Sequence, residues 1–409
     1  MRILLQNSLF YPDLVGGAEH STLLLVRELS ARGHHVDVLA TSGRPGDAAA
    51  FAEATVDGLS GRVYTAPAAG SLPLLPGADA APNLLRKAWH HAQNVHDRTW
   101  RRRTTALLGE RRADVLHTNN LVGVTTAAWE AAARAHVPVV HTLRDLHLLC
   151  PRTTLLRSDG TVCERRPLPC VALSKAKLRH SHHVDVVTSP TRFNLDLHLE
   201  AGGFGRARRE VVPNACETLP ADLPDRRGRA RVRVLFLGAL APYKGVPELL
   251  AAFERLTADP ALAHVDLVLA GAGELETTVR QTASRSAGRV AYLGVVRDEA
   301  KDRALREADV LVAPSTCLET YGRVLLDAFS YGLPVVGSDR GGIPEVIRDG
   351  EDGLVVQPTP DALAAALAFL SSDAERRLAM GAAARLRAGS LDVTAQARAF
   401  EAIYGDLAG

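Results

Sequence analysis

One segment in the second half of the sequence combines two carboxylates with a glycine at a predicted helix start. A helix is predicted to begin near Gly322, directly after a strand. Its first amides, Gly322, Arg323 and Val324, are predicted to point at an anion such as a diphosphate, because helix N-termini carry unpaired N–H groups. Glu319 precedes the helix and Asp327 lies two turns into it. The two carboxylates are therefore placed to hold different hydroxyls of one extended ligand.

A second candidate loop follows the first predicted strand. Val15-Gly16-Gly17-Ala18-Glu19 stands before a helix, and paired glycines let the backbone approach a ligand closely. The same pattern is typical of an ordinary tight turn, and the sequence leaves both interpretations open. A dinucleotide fingerprint needs G-x-G-x-x-G. Neither this loop nor Gly271-Ala272-Gly273 supplies it, which disfavours a dehydrogenase.

The elements that must position these residues alternate regularly. Short apolar runs separated by helical stretches are typical of βαβ units and parallel sheets. Six strands are predicted in the first half: 2–5, 36–40, 115–117, 137–142, 184–188 and 210–212. Five are predicted in the second half: 232–237, 265–270, 290–293, 310–313 and 335–338. The pattern predicts two doubly wound, Rossmann-like α/β domains, with the ligand in a cleft that the carboxyl ends of the strands face.

The chain divides near its middle. Residues 216–231 carry two prolines and no periodic apolar face, so they are predicted to be a linker between domains 1–215 and 232–390. Helices are predicted at 18–32 and along the basic stretch 83–112. A last helix within 391–409 is predicted to pack back on the first domain.

Composition limits the function classes. With 46% hydrophobic and 23% charged residues, the chain is neither largely disordered nor a small disulfide-stapled module, and a net charge of +2 argues against nucleic acid as a partner. The total hides an asymmetry. Residues 1–215 hold 26 Lys and Arg against 19 Asp and Glu, whereas the remainder holds 22 against 27. Fourteen of the 15 histidines also lie in the first half, so the two domains are predicted to meet different chemistry.

The sequence also predicts a compartment. It has no apolar run of the roughly 18 residues that a membrane helix needs, and its start does not resemble a secretory signal. Five cysteines in 409 residues are typical of a reducing environment. We therefore expect a cytoplasmic protein, either free or peripheral on the inner face of the membrane.

Together these motifs resemble a known family. The segment around Glu319 and Asp327 resembles the E-x7-E region of retaining glycosyltransferases of family 4, which have the two-domain GT-B fold. Further motifs in the family's order extend the resemblance over most of the chain: GGAE at 16–19, VPN at 212–214, GALAPYKG at 238–245, AGAG at 270–273 and GEDGL at 350–354.

The resemblance implies a role for each matching residue. Lys244 would bind the donor diphosphate and stabilise the charge of the leaving group, Glu319 would hold donor-sugar hydroxyls, and Asp327 the ribose. The phosphate cradle would be completed by backbone groups at Gly16, Gly17, Gly322, Arg323 and Val324, and the base would contact Leu293, Val295 and Val296. Such enzymes need no cofactor or divalent ion, only a nucleotide-sugar co-substrate. They transfer by front-face substitution with retention.

Three positions depart from the family's pattern. Ala239 stands where an Arg is usual, Asp327 replaces the second Glu, and Arg144 stands where many relatives have a histidine. We predict that Arg144 is a catalytic-site residue that compensates for Ala239 by facing the diphosphate across the cleft, since guanidinium suits phosphate. The alternative is a surface arginine paired with Asp145.

Cysteines and histidines in the first half leave a metal site open. Cys150, Cys163 and Cys170 are followed by His180, His182 and His183, and three Cys with one His would suffice for structural zinc. The spacing lacks any C-x-x-C, so ordinary buried or loop thiols are favoured and no metal is predicted.

The first domain is expected to carry the acceptor. His117, Asn119, Asn120 and Asp145 lie at predicted strand ends and are candidate acceptor contacts. Basic groups accompany two tryptophans, Trp89 and Trp100: Arg86-Lys87, Arg101–Arg103, Arg111-Arg112 and Lys175, Lys177 and Arg179. These groups predict either a helix on an anionic membrane that reaches a lipid-linked acceptor, or merely a solvated helical face.

The sequence thus predicts a retaining hexosyltransferase. Its donor would be a nucleotide-diphosphate sugar, UDP-linked in preference to GDP-linked, and its acceptor a hydroxyl of a lipid-linked glycan or a small natural product. Two alternatives remain open: a catalytically weak GT-B subunit that binds nucleotide or glycan, and a GT-B nucleotide-sugar epimerase.

Overall fold

The computed structural model describes residues 1–11, 16–42, 51–69, 84–157, 159–217 and 219–408. Val15 and the side chains of Arg86 and Lys87 lie outside that description. The chain forms two compact units. The first comprises Met1–Leu155, Glu164–Ala215 and Val393–Gly409, and the second comprises Leu156–Cys163 and Cys216–Asp392. The segment Leu156–Cys163, which the sequence places in the first domain, groups with the second unit, and an antiparallel bridge joins Leu156 to Val162.

Two sheets form the centres of the units. The first has the order β3-β4-β2-β1-β5-β6-β7-β8 and is parallel except between β3 and β4. Its strands are β1 (Arg2–Asn7), β2 (His35–Thr41), β3 (Ala52–Ala54), β4 (Val63–Ala66), β5 (Val115–Thr118), β6 (Val139–Thr142), β7 (Val186–Ser189) and β8 (Arg208–Val211). The second has the order β11-β10-β9-β12-β13-β14 and is wholly parallel. Its strands are β9 (Val232–Leu237), β10 (Val265–Ala270), β11 (Val290–Tyr292), β12 (Val310–Ala313), β13 (Val335–Ser338) and β14 (Gly353–Val356).

Helices connect the strands. In chain order they are α1 (Gly17–Ala31), α2 (Leu84–Gln93), α3 (Arg98–Arg111), α4 (Ala127–Arg134), α5 (Leu168–Leu178), α6 (Arg192–Glu200), α7 (Val246–Thr257), α8 (Glu276–Arg285), α9 (Asp298–Glu307), α10 (Arg323–Ser330), α11 (Ile343–Val346), α12 (Pro360–Ser372), α13 (Ala374–Ser390) and α14 (Val393–Ala408).

The central strands of the second sheet, β9, β12 and β13, are buried on both faces. Successive side chains of a strand point to opposite faces. Val234 and Phe236 accordingly pack in the core beneath α7 and α12, while Leu235 between them packs in the core beneath α10 and α13. This two-sided burial explains the continuous apolar runs by which the sequence located the parallel strands.

The basic stretch 83–112 is not one helix, as the sequence predicted, but two. The Asp97 side chain accepts the Trp100 amide at 2.8 Å and caps the start of α3. The Asn94 side chain accepts the Gly123 amide at 2.8 Å, which anchors the turn after α2 to a different loop. Asp and Asn side chains compete with helical hydrogen bonding, which ends α2 and starts α3 within a stretch whose composition otherwise suits one helix.

Residues of the predicted linker pack on the second unit. No helix or strand is assigned within its described part, but Cys216 is 4% exposed and Arg226 is 9% exposed. Leu223 lies against the core of the same unit. The segment therefore acts as part of the second unit's surface rather than as a free spacer.

The last helix, α14, belongs to the first unit. Phe400 and Tyr404 are fully buried in that unit's core. Glu401 accepts hydrogen bonds from the Arg32 Nε and Nη2 atoms at 2.8 and 2.7 Å. An aromatic stripe and a bidentate ion pair thus attach this helix to α1 and the strands beside it.

Candidate donor site

Three loops of the second unit meet at the carboxyl ends of β9, β10 and β12. The loop after β9 ends in a short turn at Lys244 and Gly245, and Gly245 has φ +74°. A Cβ atom built there would lie 1.9 Å from the Pro314 carbonyl oxygen of the β12 loop. Likewise, a Cβ atom built on Gly271 would lie 1.8 Å from the Gly238 carbonyl oxygen. Glycine is required at both places because no side chain fits between the backbones.

Lys244 and Glu319 form the central ion pair of these loops. The Lys244 ammonium lies 2.5 Å from Glu319 Oε1, and Ser315 Oγ donates to the same oxygen at 2.9 Å. Burial alone would raise the pKa of Glu319, but the Lys244 charge and these hydrogen bonds bring it below its ordinary value. Burial likewise opposes the charge of Lys244, and Glu319 raises its pKa despite that. Both groups are therefore held ionised.

The Glu319 backbone is fixed by a second pair of glycines. The Gly342 amide donates to the Glu319 carbonyl at 2.7 Å. A Cβ atom on Gly341, where φ is +63°, would lie 2.2 Å from that oxygen. The Gly341-Gly342 turn after β13 thus positions a carboxylate that stands 22 residues earlier in the sequence.

Helix α10 begins beside this carboxylate. Gly322 precedes it with φ +86°. The amides of Gly322, Arg323 and Val324 lie at the helix N-terminus, as the sequence predicted, where the helix dipole favours an anion. The Arg323 side chain pairs instead with Glu217 at 2.7 Å.

Asp327 lies on α10 and has a cationic partner that sequence reasoning missed. The Lys301 ammonium of α9 lies 2.8 Å from Asp327 Oδ2. Lys301 is one of only five lysines in the chain, and it follows the predicted base loop by five residues. That rarity and that position are the signals that would have located it.

The predicted base residues lie on the loop between β11 and α9. Leu293 and Val295 are 46% and 61% exposed, which is unusual for large apolar side chains. The Leu293 amide donates to Leu269 at 3.0 Å and the Gly271 amide donates to Gly294 at 2.7 Å. The loop therefore presents apolar surface from a backbone held against the end of β10.

Comparison with known proteins decides the family. Residues 16–215 match the model described as glycosyl transferase 4-like domain, and residues 231–373 match the model of glycosyl transferases group 1. A phosphatidyl-myo-inositol mannosyltransferase of Mycobacterium tuberculosis is 30% identical, over 96% of this chain and 95% of that protein. The chain belongs to the family 4-like glycosyltransferases.

Other relatives and solved structures agree with this. A D-inositol 3-phosphate glycosyltransferase of Corynebacterium diphtheriae is 28% identical, over 96% of this chain and 90% of that protein. Sucrose-phosphate synthase of Thermosynechococcus elongatus superposes with a TM-score of 0.73 at 20% identity, covering 99% and 98% of the two chains. HepE of Anabaena, solved with UDP, gives 0.69 at 18% identity, covering 99% and 100%. These neighbours share the GT-B fold, and the protein is a glycosyltransferase enzyme.

Arg144 of the glycosyltransferase is not the surface residue of the alternative prediction. It is 7% exposed, its Nε donates to Asn119 Oδ1 at 2.7 Å and its Nη1 donates to Asn214 Oδ1 at 2.7 Å. The alternative pairing with Asp145 is wrong because two amide oxygens already orient the guanidinium. Its predicted role at the donor diphosphate stays a prediction.

Two predicted acceptor residues, His117 and Asn119, have internal partners. His117 is fully buried, with Nδ1 2.6 Å from the Tyr404 hydroxyl and Nε2 2.7 Å from Thr142 Oγ1. Its assignment as an acceptor contact is wrong, because both ring nitrogens serve the core. Asn119 accepts from Arg144, yet its Nδ2 is buried without a partner among the described residues, as is Oδ1 of Asn120. Such buried amide atoms require a ligand or water.

The glycine loop at the start of α1 contains its own carboxylate. The Gly16 amide donates to Glu19 Oε2 at 2.8 Å, and Gly17 is the first residue of the helix. The amide predicted to hold phosphate is therefore used in a local cap in this structure, and the tight-turn interpretation accounts for its geometry.

The three candidate zinc ligands are not collected into a metal site. Across the described part of the chain, no group of three or more His, Cys, Asp and Glu side chains is placed to hold an ion. Cys150 is buried and Cys163 and Cys170 are half-buried.

Asp145 lies beside Arg144 and gives the first testable prediction. Burial raises its pKa to about 6, although the His147 amide donates to Oδ1 at 2.9 Å and Lys177 opposes the shift. The native state thus holds this proton to higher pH than the unfolded chain does, so the free energy of unfolding falls as pH rises from about 4 to 6. We expect Asp145→Asn to raise the free energy of unfolding by about 1–2 kcal/mol above pH 6, because the variant buries no ionised carboxylate. Urea unfolding at pH 4.5 and 7.5 measures this, with the exposed Asp57→Asn as control. Equal gains at both pH values would contradict the prediction.

Proposed function

We propose that this glycosyltransferase moves a hexosyl group, with retention of configuration, from a nucleotide-diphosphate sugar to an acceptor hydroxyl. The Lys244–Glu319 ion pair beside the N-terminus of α10 carries the proposal. Lys244 is a point charge for the donor diphosphate, and the helix amides add fixed dipoles for the same anion. Glu319 accepts from donor-sugar hydroxyls, and Asp327 accepts from the ribose.

The reaction needs little acid–base chemistry from the protein. The acceptor oxygen forms the new bond to the anomeric carbon on the face from which the diphosphate departs. The anomeric carbon–oxygen bond to phosphate breaks, and a phosphate oxygen takes the acceptor's proton. The protein contributes positioning and stabilises the developing negative charge. We propose that no divalent ion takes part, so activity should be unchanged in EDTA.

The nucleotide has two supported candidates. A UDP-sugar is the donor expected from the sequence. A relative of Mycolicibacterium smegmatis, 32% identical over 51% of this chain and 58% of that protein, is named a GDP-mannose-dependent phosphatidylinositol monomannoside mannosyltransferase. That name supports GDP-mannose as the second candidate, and both donors enter the test below.

For the acceptor we propose a hydroxyl of an inositol-containing lipid or related glycolipid. The name of the mycobacterial relative, a phosphatidyl-myo-inositol mannosyltransferase, supports this class, whereas the name of the corynebacterial relative supports the inositol group alone. Leu85 and Trp89, 83% and 63% exposed on α2, give a surface suited to contact with an anionic membrane. No helix within the described residues is long and apolar enough to span a bilayer.

The test combines donors, acceptors and product analysis. Purified enzyme is incubated with UDP-glucose or GDP-mannose and with phosphatidylinositol vesicles or free inositol phosphate, and the anomeric configuration of the product is read by NMR. The proposal expects an α-linked glycolipid from an α-linked donor. Donor binding without transfer to any acceptor would favour the binding-subunit alternative. Isomerised donor in the absence of acceptor would favour the epimerase.

The Lys301–Asp327 pair gives a prediction specific to the ribose. If Asp327 accepts from ribose hydroxyls, Asp327→Ala should weaken binding of the nucleoside diphosphate by about tenfold, since hydrogen bonds to a charged group contribute about 1.5–3 kcal/mol. Its effect on the 2′,3′-dideoxy analogue should be much smaller. Lys301→Ala should also weaken binding of the nucleoside diphosphate more than binding of the dideoxy analogue, but by a smaller factor. Lys301→Arg should retain the affinity of the wild type. Calorimetric titration of the wild type and the three variants with both nucleotides measures these affinities. If Asp327→Ala weakens binding of both nucleotides equally, the assignment of Asp327 to the ribose is contradicted.

A further inference from the structure

A cavity of about 260 Å³ lies in the second unit, at the end of the sheet opposite the donor loops. Its lining includes Asp309 and Pro334, which directly precede β12 and β13, whereas the donor loops follow the carboxyl ends of the strands. The described part of the former linker closes one side of it with Asp225, Arg226 and Arg227. The cavity is therefore separate from the nucleotide-sugar site.

Two buried guanidinium groups line this cavity. Arg226 is 9% exposed and donates to the carbonyls of Ala308 at 2.8 Å and Leu305 at 3.3 Å. Arg377 is 5% exposed and donates through Nη1 alone, to the carbonyls at the end of α12. Within the described residues, Arg226 Nη1 and the Arg377 Nε and Nη2 atoms have no acceptor. Unused guanidinium donors beside a cavity match a planar or tetrahedral oxyanion.

The carboxylates near these arginines are engaged elsewhere. Asp309 is 1% exposed, and its two oxygens accept from Arg229 Nη1 at 3.0 Å and from the Arg233 amide at 2.8 Å. Asp225 accepts the amide of Arg227 at 2.9 Å, so one of its oxygens is also taken. Neither carboxylate forms an ion pair with Arg226 or Arg377 among the described residues.

The electrostatics show an excess of positive charge. Burial, together with the charges of Arg229 and Arg306, lowers the pKa of Arg226 to about 10, and Asp309 opposes this shift. Burial also lowers the pKa of Arg377, against the opposing charges of Asp309 and Asp373. A bound anion would relieve the cost of burying these cations.

We propose that this cavity is a binding site for a phosphate group, held by the guanidinium groups of Arg226 and Arg377. Its volume exceeds the roughly 30 Å³ of one water severalfold, so it accommodates a tetrahedral oxyanion with part of its hydration. Bidentate donation suits phosphate oxygens and gives no comparable advantage to chloride. The bound group would connect the segment 224–227 to α13 and lie beside Gly332, the second residue after the end of helix α10.

The experiment titrates inorganic phosphate into the full chain by calorimetry, at constant ionic strength set with chloride. Lys244→Ala is titrated in parallel, because phosphate also resembles part of the donor. Arg377→Met keeps an aliphatic side chain but removes the guanidinium donors. Arg226→Lys is a milder change that keeps the positive charge. Arg255→Ser, an exposed arginine of the same unit paired with Asp361, is the control. Glycerol phosphate in a second titration distinguishes a phosphate monoester from free phosphate.

The proposal expects one phosphate site per chain that persists in Lys244→Ala and Arg255→Ser. Its affinity should fall about tenfold or more in Arg377→Met, and measurably in Arg226→Lys, because hydrogen bonds from a charged donor are lost. Tighter binding of glycerol phosphate would identify a monoester as the ligand, and equal or weaker binding would identify inorganic phosphate. Absence of binding to the folded wild-type chain, or binding that Lys244→Ala abolishes, would overturn the proposal. Neither result depends on whether the enzyme transfers sugar.

Discussion

Lys244→Ala is expected to lower kcat for sugar transfer by at least about 100-fold, with a smaller change in acceptor KM. Loss of a single preorganised charge-stabilising donor typically has this effect, because the charge on the leaving group develops fully only in the transition state. In this protein the loss is compounded. Without the ammonium at 2.5 Å, burial would raise the pKa of Glu319, and the sugar-binding carboxylate would be less ionised.

The measurement is steady-state transfer with the donor identified by the panel above. Arg255→Ser is the matched control, since it removes a cation from the outside of the same unit. Lys244→Arg should recover only part of the activity, because a guanidinium has a different shape from an ammonium. Unchanged kcat in a folded Lys244→Ala enzyme would remove the diphosphate role and with it the central claim of the proposed function.

Gly245→Ala is expected to lower the free energy of unfolding by about 3 kcal/mol or more, the largest stability effect predicted here. Its Cβ would lie 1.9 Å from the Pro314 carbonyl oxygen, so the loop that carries Lys244 would have to move away from the β12 loop that leads to Glu319. Activity should be lost along with stability, because the two halves of the ion pair are on these two loops.

Gly288→Ala separates the steric effect from the backbone effect. Gly288 has φ +85°, close to the φ +74° of Gly245, but nothing lies within 4 Å of its Cβ position. Only the left-handed conformation is penalised there, at about 1 kcal/mol. Chemical denaturation of both variants measures the difference. Equal destabilisation would mean that the β9 and β12 loops do not depend on this close approach.

Local chemistry made much of the donor site predictable. Glu319, Asp327 and the start of α10 were selected from residue type and spacing, because a strand–loop–helix arrangement fixes them within a short stretch of chain. Lys244 was selected from the family resemblance, and the roles of these residues at a donor stay predictions. The partners of these residues were not predictable. Lys301 on α9 pairs with Asp327 on α10, and Gly341 holds the Glu319 backbone from another loop. Only tertiary packing brings the members of each pair together.

Taken alone, the sequence determined the two α/β domains, the position of most strands, the family and the residues of the donor loops. The domains and strands follow from apolar periodicity. The family and most residues of the candidate donor loops follow from the resemblance of several motifs to those of a known family. The strands β3, β4 and β14 were not predicted; the three residues of β3 are all exposed and form no apolar run.

Only the tertiary structure decided how polar residues of unremarkable spacing are used. It placed His117 in the core against Tyr404, held Arg144 between two asparagines, and buried Arg226 and Arg377 beside one cavity. Burial and hydrogen-bond partners are set by chain segments far apart in sequence, so they decide whether a cation or an imidazole serves structure or binding. The sequence's acidic second half, with 22 basic against 27 acidic residues, likewise conceals the local positive charge of the arginine cavity.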